Sequence, residues 1–135
     1  MKTKFILFAL FILISNYTFS QDWQYAGSSQ SGNMYYLRDA GTSDIGYRKY
    51  WLKTVAKNLS YIKNGKNINL TNGYSMELFE YNCSSKQIKL LSIYHYNSSG
   101  KVVYSLTIPF YRTEWTDVLP DSVGEMILDK ACVLY

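Results

Sequence analysis

Apolar residues are spaced along this chain in three ways, and each spacing predicts a different element. Phe5 to Ile14 is an unbroken apolar run of ten behind Lys2 and Lys4, and Ser15 to Ser20 is more polar, with Thr18 and Ser20 at small-residue positions before a cut. These are the three parts of an export signal. The run is too short to span a bilayer, which takes roughly 20 residues. The expected plan is a signal peptide over 1–20 and one domain over 21–135, beginning at Gln21, with no membrane span after cleavage.

The second spacing is that of strands. Met34 to Arg38 (MYYLR) reads as a short strand after a Ser/Gly/Asn-rich turn, and Tyr47 to Lys57 as a long strand that mixes aromatic with basic residues. Asn58 to Gly73 holds two turn dipeptides, Asn64-Gly65 and Asn72-Gly73, and reads as a mobile excursion. Ser75 to Cys83, Lys86 to Tyr96 and Lys101 to Ile108 then follow as three strands. The last two form a hairpin about Asn97-Ser98-Ser99-Gly100. With Tyr96 opposite Lys101, His95 opposes Val102, Ile93 opposes Tyr104 and Leu91 opposes Leu106, and these six are assigned to the core face. A one-residue slip would reverse the faces.

The third spacing is helical. Pro120, then Ser122 with Glu125 three residues on, is a capping box. Val123, Ile127, Ala131 and Leu134 recur as an apolar stripe with Cys132 toward its edge, beside Leu128 and Tyr135. The chain has two cysteines, Cys83 at the end of a strand and Cys132 near the end of this helix. In an oxidising compartment they are expected to pair, the alternative being two unpaired buried thiols. The expected fold is α+β: a single antiparallel β-sheet with a C-terminal α-helix packed on one face and tethered by the Cys83–Cys132 disulfide.

Composition supports strands, with 14 tyrosines and only two prolines. Charge narrows the partners. The formal charge of +4 includes Lys2 and Lys4, so residues 21–135 carry 12 cations against 10 acids, or +2. That removes most of the compositional support for a nucleic-acid partner, and none is expected. The densest basic stretch, Arg48 to Lys57, has interleaved aromatics that would suit an anionic glycan, although a solvated strand face explains it as well.

Candidate chemistry is sparse. A single histidine, His95, rules out a multi-histidine metal site, and two cysteines 49 positions apart do not make a zinc site. No nucleophile-elbow or phosphate-loop pattern occurs. Composition alone leaves a Ser-His-Asp triad open. Glu77 and Glu80 fall on opposite faces of their strand, which argues against a carboxylate pair. Trp23, Trp51 and Trp115 are assigned to the core rather than to a ligand groove. No catalytic residue, metal or cofactor is expected. Tyrosines left exposed on the outer sheet face would resemble an interaction surface.

Several of these features occur together in a known order. A short Tyr-Tyr strand, a strand with a central Trp51, Glu80-Tyr81-Asn82-Cys83, a hairpin tipped by Ser99-Gly100, Trp115, Pro120-Asp121-Ser122-Val123-Gly124-Glu125 and Cys132 resemble the bacterial surface-adhesin protein E family over residues 22 to 133. Asn82 stands where an aspartate is expected, and there is no lipid-attachment cysteine. The resemblance implies an antiparallel sheet whose concave face holds the C-terminal helix through a disulfide. It implies host-protein binding only for surface-displayed members, so the cysteine pair alone is carried over and no binding residue. The function expected is a secreted, periplasmic or cell-surface binding module, not an enzyme, contacting a protein or glycan. The alternatives are a structural, self-associating envelope protein and a small periplasmic enzyme.

Overall fold

Residues 22–134 are described by the computed structural model; the export signal expected over residues 1–20 and the start at Gln21 lie outside the described residues. Tyr, Val, Ile and Thr side chains suit a pleated surface, and they populate nine strands. These are β1 (Gln24–Ser28), β2 (Met34–Thr42), β3 (Arg48–Val55), β4 (Asn58–Lys63), β5 (Lys66–Thr71), β6 (Tyr74–Asn82), β7 (Gln87–Tyr96), β8 (Val102–Thr107) and the two-residue β9 (Thr116–Asp117). A helix, α1 (Val123–Val133), closes the chain.

The expectation of a single sheet is corrected. Seven strands form a curled antiparallel sheet in the order β1-β2-β3-β6-β7-β8, with β9 also beside β7, while β4 and β5 form a second sheet of two strands. The second sheet is the stretch 58–73 expected to be mobile. Asn64 and Gly65 both take positive φ, 51° and 73°, the geometry of a tight two-residue hairpin turn. Leu59 faces Leu70 and Tyr61 faces Ile68 across the ladder. The hairpin is therefore an insertion between β3 and β6, which pair directly with each other, and the Asn72 amide donating to the Lys57 carbonyl at 2.9 Å closes its base.

The core lies under the helix. Leu37, Tyr50, Leu52 and Tyr81 from the sheet meet Ile127, Leu128 and Ala131 from α1; Ile127 and Ala131 of the stripe read from the sequence are packed, Val123 and Leu134 are half-buried, and Leu128, placed beside the stripe, is as buried as Ala131, each 1 % exposed. Ser122 caps the helix by accepting from the Glu125 amide at 3.1 Å. The Glu125 carboxylate reaches back to the Asp121 amide at 2.7 Å, one residue before the cap. Gly27 of β1 takes a φ of 148°, which favours glycine, and a Cβ there would push aside the Met126 thioether of the helix. The Cys83–Cys132 disulfide is formed, with Cα atoms 5.9 Å apart, and joins the end of α1 to the turn that follows β6.

The hairpin expected to hold the core does not. Two β-bulges change its register. Leu91 is left unpaired between Leu90 and Ser92, which face Phe79 and Leu78, and Val103 is left unpaired because His95 faces Tyr104 while Tyr96 faces Val102. His95, Ile93, Tyr104 and Leu106 keep one face, but Leu91 and Val102 drop out of the expected set. The strand β8 ends the sheet, and Leu106 and Val102 remain 42 % and 44 % exposed. This edge strand lies beyond the reach of α1, and the β4–β5 hairpin covers it only at Tyr104, whose ring meets Tyr61 at 5.2 Å.

Candidate binding face

Strand alternation gives the large sheet two faces, and only one carries the helix. On the other, Tyr36 and Arg38 of β2 lie beside Lys53 and Trp51 of β3, which lie beside Met76 and Leu78 of β6 and then Tyr94 and Ser92 of β7. Tyr25 of β1 extends one row, opposite Tyr36, and Trp23 stands just ahead of that strand. Rings and cations touch along this outer face. The Arg38 guanidinium sits 4.6 Å from the Trp23 ring centre, and the Lys53 ammonium lies between Trp23 at 5.8 Å and Tyr74 at 4.6 Å. Tyr74 stacks on Tyr96 at 4.6 Å, Trp51 meets Tyr94 at 5.9 Å, and Tyr25 meets Tyr36 edge-on at 5.5 Å. Most of these side chains are half-buried, held by their neighbours while open to solvent, and Tyr25 is 52 % exposed.

One end of the face is closed by a buried ion pair. Lys89 and Glu80 are cross-strand partners, with Nζ 2.6 Å from Oε2 and side chains only 8 % and 9 % exposed. Trp115 covers them, its ring 4.7 Å from the Lys89 ammonium, and Tyr47 meets that ring edge-on at 4.8 Å. Burial makes such a pair costly to break, so Lys89 is occupied and the free cations lie farther along, at Lys49, Lys53 and Arg38. Among the described residues no ion pair engages these three.

The three tryptophans expected in the core are therefore corrected: Trp23, Trp51 and Trp115 all lie partly open on the outer side. The basic stretch 48–57 is divided by its own alternation. Arg48 turns to the helix side and donates to Asp39 at 3.0 Å, whereas Lys49, Trp51 and Lys53 line the outer face. That Lys-Trp-Lys spacing of two, with Tyr36 and Arg38 at the same spacing in β2, is the signal by which these residues were findable in the sequence.

The inner face gathers the titratable groups but not a catalytic relay. Ser75 is opposite His95, and Glu77 follows two positions along on the same face. The Ser75 hydroxyl donates to Glu77 Oε1 at 3.4 Å rather than to the imidazole, and Ser75 is 2 % exposed. His95 stacks on Tyr61 of the β4–β5 hairpin at 4.9 Å and meets Tyr104 at a tilt at 5.5 Å, the two tyrosine rings being themselves 5.2 Å apart. Burial pushes the Glu77 carboxyl above its ordinary range, partly offset by the Ser75 hydrogen bond, and burial pushes the His95 imidazole down. Both shifts come from desolvation, not from a charge partner. Glu80 lies on the opposite face from Glu77, as its spacing required. A cavity of about 350 Å3 brings Asp22 and Asp39 together beside Tyr50, but Asp39 is engaged by Arg48 and by the Gly41 amide at 2.7 Å. Among the described residues no cluster of three or more metal-ligating side chains occurs, and no helix is long and apolar enough to cross a membrane.

The profile of the family described as surface-adhesin protein E covers residues 23–133. No curated protein and no solved structure matches the chain.

Proposed function

This chain belongs to the surface-adhesin protein E family, and from that premise we propose that it is a small, exported, non-catalytic binding module that holds a protein or glycan partner on the outer face of its large sheet. The observation that carries the reading is the continuous set of rings and cations from Trp23 through Lys53 to Tyr96, ordered by mutual contact yet open to solvent. Rigid rings with polar tips and Arg are the residue types that concentrate binding energy at interfaces, since they lose little freedom on contact. Export follows from the apolar run at Phe5–Ile14 and its flanks, with the working domain over residues 21–135. N-terminal sequencing of the product that finds Met1 retained would remove that part of the reading.

Particles coated with the purified protein should attach to a matrix-coated or cell surface, and the variant Trp51→Ala/Tyr94→Ala should lose that attachment while keeping a cooperative melt. Phe110→Ala, which changes an exposed ring on a turn away from these rows, serves as the control. Attachment that survives the double change but fails with Phe110→Ala would overturn the assignment of the face.

A further inference from the structure

We propose that the partner held on this face is an acidic polysaccharide, carboxylated or sulfated, laid across the strands; this rests on the reading that the outer face is the binding surface. Charge is segregated between the two sides of the sheet. Arg38, Lys49, Lys53 and Lys89 line the outer face, against two acids, Glu80 and, at its β9 edge, Asp117. Four minus two leaves +2 there, the whole of the +2 carried by residues 21–135 together, so the remainder of the domain balances to zero. Asp39 and Glu77 sit on the inner face. A negative ligand is therefore drawn to one side of the domain only.

The cations are also held in a way that leaves their charge available. Arg38 and Lys53 lie over the rings of Trp23 and Tyr74, which orient them through the ring quadrupole without neutralising them. By register, Tyr25, Tyr36, Lys53, Met76 and Tyr94 are successive neighbours across five strands, a row of about 19 Å at the usual strand spacing. Such a row is long enough for a polymer, and the exposed flat rings suit the apolar faces of sugar rings while the cations meet their acid groups.

A protein partner would look for an apolar centre. The most exposed apolar side chains lie off these rows, Ile62 and Leu119 at 70 % and Phe110 at 85 %, against 52 % for Tyr25 on the face. On the face itself Met76 and Leu78 are half-buried among Trp51, Lys53 and Tyr94, and the positions beyond them are Ser92, Ser105 and Thr107.

The test measures binding of the purified chain to four probes of similar length: a heparin oligosaccharide, an oligogalacturonate, a neutral dextran oligomer and a deoxythymidine 12-mer. Both acidic oligosaccharides should bind, dextran should not, and affinity should fall steeply as salt is raised. Arg38→Gln and Lys53→Gln should each weaken binding about tenfold, Arg38→Lys should keep most of it, and Lys130→Gln on the helix should leave it unchanged. Melting curves confirm that each variant is folded.

Three outcomes would overturn the proposal: dextran binding as tightly as the acidic chains, Lys130→Gln costing as much as Lys53→Gln, or the deoxythymidine 12-mer binding more tightly than both glycans. Absence of glycan binding while Trp51→Ala/Tyr94→Ala still abolishes attachment would also overturn it, and would leave the binding face itself standing.

Discussion

The two faces of the large sheet are built from the same strands, residue by alternate residue, and they have opposite characters. On the inner face Leu37 and Tyr50 are 0 % and 2 % exposed beneath α1, and Arg48 is paired with Asp39. On the outer face the rings are in mutual contact yet remain open, and Arg38 and Lys53 rest on them instead of on carboxylates. Tyrosine serves both sides. Tyr50 and Tyr81 pack ring against ring in the core at 5.7 Å, while Tyr36 and Tyr94 face water. Abundance of tyrosine therefore decides nothing; the parity of its position along a strand, set by which side the helix covers, decides its role.

The comparison breaks hardest at the disulfide. It closes a loop of about 50 residues, for which the chain-entropy view gives about 4 kcal/mol at 25 °C as an upper figure, a large share of the 5 to 15 kcal/mol typical of a domain. Cys83→Ser/Cys132→Ser should lower the melting temperature and free α1 from the inner face, while the strands from β6 to β8 stay paired. Amide hydrogen exchange would show this as protection lost first in Val123–Val133. Two free thiols titrated in the folded, unreduced protein would contradict the bond.

A single truncation sharpens the contrast. Leu128→Ala removes a side chain that is 1 % exposed and should cost about 2 to 5 kcal/mol in denaturant unfolding. Trp51→Ala, a larger deletion on the outer face, should cost clearly less. Equal costs would mean that the outer face is as much a core as the inner one.

The smallest effects concern pH, and of the two faces they belong to the inner one. The fold raises the Glu77 pKa, so it holds that proton more tightly than the unfolded chain does. That contribution to stability is complete below the ordinary carboxylate value and is lost as pH rises through the folded one. The fold lowers the His95 pKa, so its contribution is complete above the ordinary imidazole value of about 6.5 and is lost as pH falls from there toward the folded value. Glu77→Gln should stabilise the protein at neutral pH, with the gain fading in acid, and His95→Asn should flatten the decline between neutral pH and mild acid. Urea midpoints at a series of pH values read both, and outer-face substitutions such as Lys53→Gln should move neither slope.

Much of this was legible in the sequence because it rests on local signals. The capping box at Ser122 and Glu125, the stripe through Ile127 and Ala131, the cysteine pair and the positions of the longer strands all follow from spacing. The strand β1 went unread, since Gln24–Ser28 has little alternation and is placed by the approach of Met126 to Gly27. The bulges at Leu91 and Val103 have no local signature either; they arise from fitting a curled sheet, and they moved two residues out of the expected core. The outer face was half legible. The Lys49-Trp51-Lys53 alternation shows that these three share a side, but only the position of α1 shows that the side is left open.

The disulfide has a mechanical consequence for a protein whose family is one of surface attachment. Tension entering at the C-terminal end of the chain passes through α1 and crosses the Cys132–Cys83 bond to the end of β6. The segment between the cysteines, which holds β7, β8 and β9, is thus shunted out of the load path and bears none of the pull. Reduction would place those strands in series with the rest and add about 160 Å of extensible contour, taking 49 residues of separation at roughly 3.3 Å each. Stretching single molecules in oxidised and reduced form would read that length directly.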